Sequence, residues 1–428
     1  MNKLVLLITV VAYFIVSIFI GIIRSRGSTP ESFVGERNKI GFFSFVSTVA
    51  SIVIGGGMFF AVGQIGYEAG AVGYVIGIAY LIGFFILGAT ANKVRELVDS
   101  SAPTFYDFLD QKYKSKSRIS VAFVFQIATF IVFFLILGAQ FVAISVYAQH
   151  VMGTSRLFSV ILVSVLIPML TILIYSVVGG FPKDVATDVL QFVLILFGTI
   201  LLCSKIIGED VITKISSLPD EYFTGLGPPE SGYGVIYVLG AIIFVTPSFF
   251  VRMDMWQRTL AARNDSVARW GFITAGIISL IAYFVFTTIG MFGKSKGVTS
   301  GPDVSIQAIE FFKFSWQHTA VAVAFLAAVM SSADTFLNIA SSAFVRSLWP
   351  SKWEQGMSKN AEKSQKRYVM RRLRISTASM GMIAAIFAFL FPNIVDLFSG
   401  AFAVLLISCP AVFAALFASR LSERAALY

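Results

Sequence analysis

The chain has 428 residues, of which 57% are hydrophobic and 13% charged, with 43 phenylalanines and a mean hydropathy of +0.83. A soluble domain is about half apolar and about a quarter charged, so this composition leaves too little polar surface to cover a water-soluble globule. The formal net charge of +10 points to nucleic acid only until the basic residues are placed, because membrane-spanning chains collect Lys and Arg in cytoplasmic loops.

A spanning helix needs about 20 predominantly apolar residues. The stretches between charged residues predict eleven spans, at 4–23, 41–66, 70–92, 119–148, 157–179, 184–205, 234–253, 270–292, 319–346, 375–391 and 396–419. The first has no small-residue cleavage pattern before Arg24 and reads as a retained anchor rather than a signal peptide. With the N-terminus outside, the inner loops hold 26 of the 33 Lys and Arg residues. The outer segments keep only Lys3, Arg156, Lys205, Lys214, Lys294, Lys296 and Lys313, so the C-terminus is expected in the cytoplasm. The segment from Lys352 to Arg374, with eight basic residues, reads as a positive-inside anchor without specificity, binding of anionic membrane lipid being the alternative. The net charge is thus an orientation marker, and no nucleic-acid partner is expected.

Cys203 and Cys409 each lie inside an apolar stretch, and His150 and His318 have no cysteine or carboxylate cluster near them. That argues against a disulfide framework, a zinc site and a metal-dependent intramembrane enzyme.

Two spans carry helix breakers. Ser51-Ile52-Val53-Ile54 runs into Gly55, Gly56 and Gly57 in mid-membrane, where each glycine costs roughly 1 kcal/mol against alanine in a uniform helix. The helix is predicted to open there, close packing through small residues being the alternative. Thr246-Pro247-Ser248 is the second candidate break, or else a simple kink. Setting the anchor aside, the breaks fall in helices 1 and 6 of ten. Interruptions at corresponding places in two five-helix halves are the mark of a transporter built from an inverted repeat, with its sites at the breaks.

Three carboxylates fall within spans, Asp188, Asp334 and Asp396, and such groups face a cavity, a partner or an ion. Ser331, Asp334, Thr335, Asn338 and Ser342 recur at helical spacing and set their oxygens on one stripe, widened by Ser332. Hydroxyls and carboxylates without sulfur or imidazole suit a hard cation such as Na⁺; hydrogen bonding between helices is the alternative use of the hydroxyls. Asp188 also fits an N-terminal helix carboxylate stabilised by the macrodipole. Asp396 reads as a capping or gate residue, and Trp256, Arg258, Arg346 and Trp349 as interfacial anchors.

Four stretches together resemble the sodium/solute symporter family: Ala50-Ser51-Ile52-Val53-Ile54 through Gly66-Tyr67-Glu68-Ala69-Gly70; Gly179-Gly180 followed by Thr187-Asp188-Val189-Leu190-Gln191; Trp256-Gln257-Arg258 with Ala261-Ala262; and Ala328-Val329-Met330-Ser331-Ser332-Ala333-Asp334-Thr335. With matching span order, the resemblance covers nearly the whole chain. It implies an all-α polytopic protein of the leucine-transporter type in a single transport domain, residues 1–428. An N-terminal extra helix (4–23) precedes a first five-helix repeat (41–205) and a second, inverted one (234–419). The further C-terminal helices of many members are expected to be left out, the chain stopping after the tenth core helix.

The resemblance further implies a sodium site at main-chain carbonyls near Ser51 and Ile54, with Ala328, Ser331 and Ser332. A second cation or proton would lie at Asp188, Asp334 and Thr335, together with Ser331. Family members that bind two ions carry hydroxyls where Asp334 stands, so two neighbouring carboxylates leave the ion count open and admit a proton on one of them. Sugar-binding members place amides and carboxylates after the helix 1 break. Here Gly55, Gly56, Gly57, Met58 and Phe59 stand instead, pointing to a small or partly apolar solute such as an amino acid or monocarboxylate. Gln126, Phe133, Phe249 and Thr274 are further candidates to face it. The expected protein is a sodium-coupled symporter that imports a small organic solute by alternating access, in the plasma membrane (the bacterial inner membrane), with no obligatory protein partner and no enzymatic activity. A proton-coupled symporter of the same fold and a solute-sensing module that does not transport are the alternatives, the latter disfavoured by a chain that ends nine residues after Ser419.

Overall fold

The computed structural model describes residues 3–25, 28–98, 104–114, 119–152, 180–208, 211–298, 301, 304–307, 315–358, 360–391, 393–418, 421–422 and 426. Its helices are, in chain order, α1 (Lys3–Ser25), α2 (Pro30–Val34), α3 (Phe42–Val53), α4 (Met58–Ala69), α5 (Val72–Leu97), α6 (Phe105–Tyr113), α7 (Val121–Met152), α8 (Phe181–Gly208), α9 (Val235–Val251), α10 (Met253–Ala261), α11 (Asp265–Ser295), α12 (Ser315–Leu348), α13 (Pro350–Met357), α14 (Lys363–Leu390) and α15 (Ile394–Phe417). Shorter turns connect them. The span expected at 157–179 lies outside the described residues; the other ten fall on these helices.

Among the described residues, seven helices are long and apolar enough to cross a membrane, or nine when the bent pairs α3/α4 and α9/α10 each count as one span. Six Lys and Arg residues between 363 and 374 make the first half of α14 too polar to join that group, while its second half carries the apolar stretch expected at 375–391. Large apolar side chains lie on the outside of the bundle, among them Leu4, Phe19, Ile200 and Ile407, a surface that only hydrocarbon can cover.

α12 is the opposite case. Its apolar window is 94% buried inside the protein, with α3, α7, α8 and α14 packed around it. The reason is legible in its residues, since the run of Ala and Ser lets neighbouring backbones approach closely. α5 lies along α11, and α4 is pressed onto the same helix. Local signals fix the helix starts. Thr104 and Asp107 form a capping box before α6, and Asn264 and Asn393 accept from the first free amides of α11 and α15. Asp396 sits exposed in the first turn of α15, where a carboxylate meets the positive end of the helix. Outside the spans, Lys366 Nζ meets Glu31 Oε1 at 2.8 Å and ties α14 to α2. Burial raises the energy of the Glu31 carboxylate, yet Lys366, Thr29 and a backbone hydrogen bond together outweigh it and hold the group below its ordinary range.

The two breaks differ in character. α3 and α4 meet at 56° across residues 54–57, as the three glycines predict. In the second, the sequence expectation of a break at Pro247 is corrected: α9 runs through Pro247 to Val251, and the 50° bend follows at Arg252. Thr246 Oγ1 donates to Ala79 O at 3.2 Å and fastens the proline turn to α5, so one missing amide bond is tolerated there. The span also continues to Ala261 instead of stopping at 253. The charged residues that ended the apolar count, Asp254 and Arg258, are buried inside it.

α4 and α11 touch backbone to backbone. A Cβ on Gly290 would lie 2.1 Å from Gly63 O, and one on Gly66 would lie 2.3 Å from Thr287 O. Gly290→Val is therefore expected to cost about 1–3 kcal/mol by overpacking. Thermal unfolding of the purified protein checks this: a lowered midpoint is expected, and an unchanged one contradicts the contact.

Candidate functional site

Opening a helix in an apolar bundle leaves carbonyls and amides that need new partners. At the α3/α4 break α12 supplies them. A Cβ on Gly55 would lie 2.1 Å from Ser332 Oγ, so only glycine lets the opened turn come this near. Ser332 Oγ lies 3.0 Å from Ile52 O and 3.2 Å from Ala328 O and can donate to either. Ser331 Oγ lies 2.9 Å from Ser51 Oγ and 2.6 Å from Asp188 Oδ1. An ionised carboxylate only accepts, so Ser331 gives its one proton to Asp188 and turns its lone pairs toward Ser51 and the break. Ser51, Ala328, Ser331 and Ser332 thus converge at the end of α3, where Ile54 is the capping residue and its amide donates to Ala50 O at 2.8 Å. All of them are buried. Neutral oxygens gathered around an opened turn, backed by one carboxylate, are the ligand chemistry of a hard monovalent cation.

Behind that group lies a network of buried charge. Asp188, 1% exposed, also accepts from Thr48 Oγ1 and faces Arg258 Nη2 at 3.6 Å. Arg258, wholly buried, donates from Nε to Thr48 Oγ1 (3.2 Å), from Nη1 to Asp254 O (3.1 Å) and from Nη2 to Thr335 Oγ1 (3.1 Å). Arg252 grips Asp254 with two bonds, of 3.1 and 2.5 Å. Lys183 Nζ, buried at the start of α8, lies 3.2 Å from Asp184 Oδ1 and 3.7 Å from Asp334 Oδ2. Asn338 Nδ2 donates to Asp184 Oδ2 at 3.0 Å.

Asp188 and Asp334 each lie within ion-pair distance of a cation, Arg258 (3.6 Å) and Lys183 (3.7 Å) respectively. These contacts correct one expectation: Arg258 and Trp256 are not interfacial anchors, being buried in α10, which folds back into the bundle. Arg346 is likewise buried and holds Asp107 (2.6 Å) and Asp110 (3.2 Å) of α6; only Trp349 remains partly exposed.

Beside the break lies a cavity of about 360 Å³, walled by α3, α4, α5, α7, α9, α11, α12 and α15. Its wall is mainly apolar, with Met58, Phe244, Phe398 and Phe402, and carries a few polar groups from Gln140, Tyr80, Tyr283, Arg252 and Ser399. Gln140 is 1% exposed and, among the described residues, its Oε1 has no hydrogen-bond partner. Of the residues expected to face a solute, Gly55, Gly57 and Met58 stand on this wall. Gly56 packs on Val329 and Gln140. Phe59 packs on Phe286 and Phe325, Phe133 on Phe336, and Phe249 on Tyr80 and Phe84, one layer behind the wall. Gln126 is spent on Ala343 O (2.8 Å) and Arg346 (3.4 Å), and Thr274 is half-buried on α11, off the wall. Which face of an apolar helix turns inward is not written in residue type, and there the sequence expectation was weakest.

The start of α3 and the end of α10 are strapped together by main-chain bonds. Lys39 and Ile40 amides donate to Ala261 O at 2.8 and 2.9 Å, and the Arg263 amide donates to Ile40 O at 2.8 Å. Arg95 adds bonds to Thr259 O (2.7 Å) and Ala262 O (2.8 Å). Above this strap Trp256 stacks on Phe105 at 3.7 Å and donates to Phe250 O at 2.6 Å. At the other end the wall reaches Ile236 and Val395, beside the segment 211–233.

The network residues that residue counting missed are Thr48, Lys183, Asp184, Arg252 and Asp254. Thr48 carried a signal, lying three residues before Ser51 on the same face of α3. The others were read as loop charges.

The sodium:solute symporter family model matches residues 33–222 of the chain. The sodium/pantothenate symporter of Haemophilus influenzae is 26% identical over 346 residues, covering 78% of this chain and 69% of that protein. Among solved structures, a Na⁺-coupled sialic acid symporter in a substrate-bound outward-open state matches with a TM-score of 0.76 at 16% identity, over 99% of this chain and 89% of that one. Mhp1 in an inward-facing conformation matches with a TM-score of 0.51 at 13% identity, over 92% and 81% of the two chains. The fold is the leucine-transporter type that the resemblance implied. By motif, family model and fold together, the chain is similar to the sodium:solute symporters, which are multi-pass membrane transporters and not enzymes.

Proposed function

We propose that this protein is a sodium-coupled symporter that carries a small organic acid across the plasma membrane, with its N-terminus outside and its C-terminus in the cytoplasm. The observation that carries this reading is the meeting of Ser51, Ser331, Ser332 and the Ala328 carbonyl at the α3/α4 break, backed by Asp188. Na⁺ would sit among these oxygens and the carbonyls near Ile54. It would replace the bonds of Ser332 to Ile52 O and Ala328 O with its own and hold the broken helix against α12. Na⁺ that prefers this arrangement raises solute affinity to the same degree that solute raises Na⁺ affinity.

The solute assignment rests on the cavity. A volume of about 360 Å³ with a mainly apolar wall fits a compact molecule with an apolar body. Arg252 and Gln140 on that wall are placed for an acid group and a hydrogen-bonding group, and Gly55 and Gly57 leave room beside the opened turn. A carboxylate there would share Arg252 with Asp254. Both relatives named for a solute take an organic acid, pantothenate in one and sialic acid in the other. The closed strap at residues 38–40 and 260–263 supports a cavity that loads from the outer side and empties after the two halves rock apart.

Sodium binding is read by thermal unfolding of the purified protein at constant ionic strength. At ten times its Kd, Na⁺ adds about 1.4 kcal/mol of stability relative to K⁺ or choline. Equal midpoints in the three salts would overturn the reading. Repeating the scan with a panel of monocarboxylates, amino acids and sugars ranks the solute classes, and acids are expected to give the largest Na⁺-dependent shift.

Ser332→Ala removes one ion ligand, and Asp188→Asn removes the carboxylate that orients Ser331. Each is expected to weaken Na⁺ affinity about tenfold or more, the equivalent of losing one charge-assisted contact. Wild-type Na⁺ dependence in Ser332→Ala would exclude that residue from the site. Uptake into proteoliposomes driven by a pH gradient without Na⁺ would replace sodium with protons as the coupling ion.

A further inference from the structure

Resting on the sodium reading above, we propose that the protein carries one Na⁺ per cycle, because the place for a second cation between α8 and α12 is already filled by the chain's own ammonium and guanidinium groups. The oxygens available for a second ion there are those of Asp188, Asp334 and Thr335. Arg258 Nη2 lies 3.1 Å from Thr335 Oγ1 and 3.6 Å from Asp188 Oδ2, and Lys183 Nζ lies 3.7 Å from Asp334 Oδ2. A second Na⁺ among these atoms would stand within a few ångströms of two fixed positive charges in a buried setting where screening is weak.

Charge balance points the same way. Among the described residues, the buried ionisable groups of this network are the cations Lys183, Arg252 and Arg258 and the carboxylates Asp184, Asp188, Asp254 and Asp334. Three cations against four carboxylates leave one net negative charge. Buried charge without a counter-charge is costly, so the network calls for one monovalent cation and not two. The carboxylate left with a tight contact to the α3/α12 oxygens is Asp188, through Ser331 at 2.6 Å. Asp334 then belongs to Lys183. A carboxylate and a tethered ammonium at this position do together what a hydroxyl and a mobile ion would do, filling the space and fastening α8 to α12 with no cation exchanged with solvent.

The test is equilibrium binding of ²²Na⁺ to the purified full-length protein, read as both stoichiometry and cooperativity. One equivalent and a Hill coefficient of about 1 are expected. Two equivalents, or a Hill coefficient approaching 2, would overturn the proposal. No binding at all would overturn the sodium reading on which it rests, so the two failures are told apart. Two variants locate the ion. Lys183→Met/Asp334→Asn removes a cation and an anion together and keeps the charge balance; it is expected to bind one equivalent with affinity within about threefold of wild type. Loss of that equivalent would make Asp334 an ion ligand and sink the proposal. Lys183→Met alone takes the network to two net negative charges and is expected to raise the capacity to two equivalents. Should that variant fail to fold, the charge-balanced pair decides the question.

Discussion

The contact between the opened turn at Gly55 and the hydroxyl of Ser332 is the constraint on which the rest of the site depends. It exists because three glycines in succession make a continuous helix unfavourable, and because α12 presents small and hydroxylated residues where another helix would present Leu or Phe. Without the glycines the carbonyls of residues 50–54 would be consumed by the helix. Without the serines they would face hydrocarbon. Together they make a pocket of oxygens inside an apolar bundle, and the wall of the larger cavity begins at the same residues.

The seven buried charges of this network, counted among the described residues, are hard to justify by stability, since each loses its hydration. Their arrangement explains why they are kept. Asp188 on α8, Thr48 on α3, Arg258 on α10 and Thr335 on α12 share one connected set of hydrogen bonds, so four helices from both halves of the chain are registered to one another through it. A displacement of α3 against α12 must therefore be felt at α8 and α10. That is the property an ion needs if its binding is to set the relative position of two bundles.

The strap at residues 38–40 and 260–263 makes the entry of the first broken span and the exit of the second one structural unit. Main-chain bonds carry it, with Arg95 buttressing the carbonyls, while Trp256 on Phe105 closes the space above.

Composition, spacing and breakers by themselves determined a good deal: an integral membrane protein, ten of the spans that the described helices occupy, the break at Gly55–Gly57 and the hydroxyl stripe of α12. These are properties of local periodicity and of residues too costly in lipid to be accidental. The place of the second break, at Arg252 and not Pro247, was decided by the tertiary contact of Thr246 with Ala79, which tolerates the proline, and by the burial of Arg252 against Asp254, two residues on. The same holds for Lys183, Arg252 and Arg258, which a count of charges assigns to loops. A charged residue near the end of an apolar run reads as the boundary of a span because hydropathy knows only the cost of burying it. Only the fold buries the residue together with its counter-charges, Asp254 beside Arg252, Asp184 and Asp334 beside Lys183, and Asp188 of another helix beside Arg258, and with them supplies the reason that it lies inside.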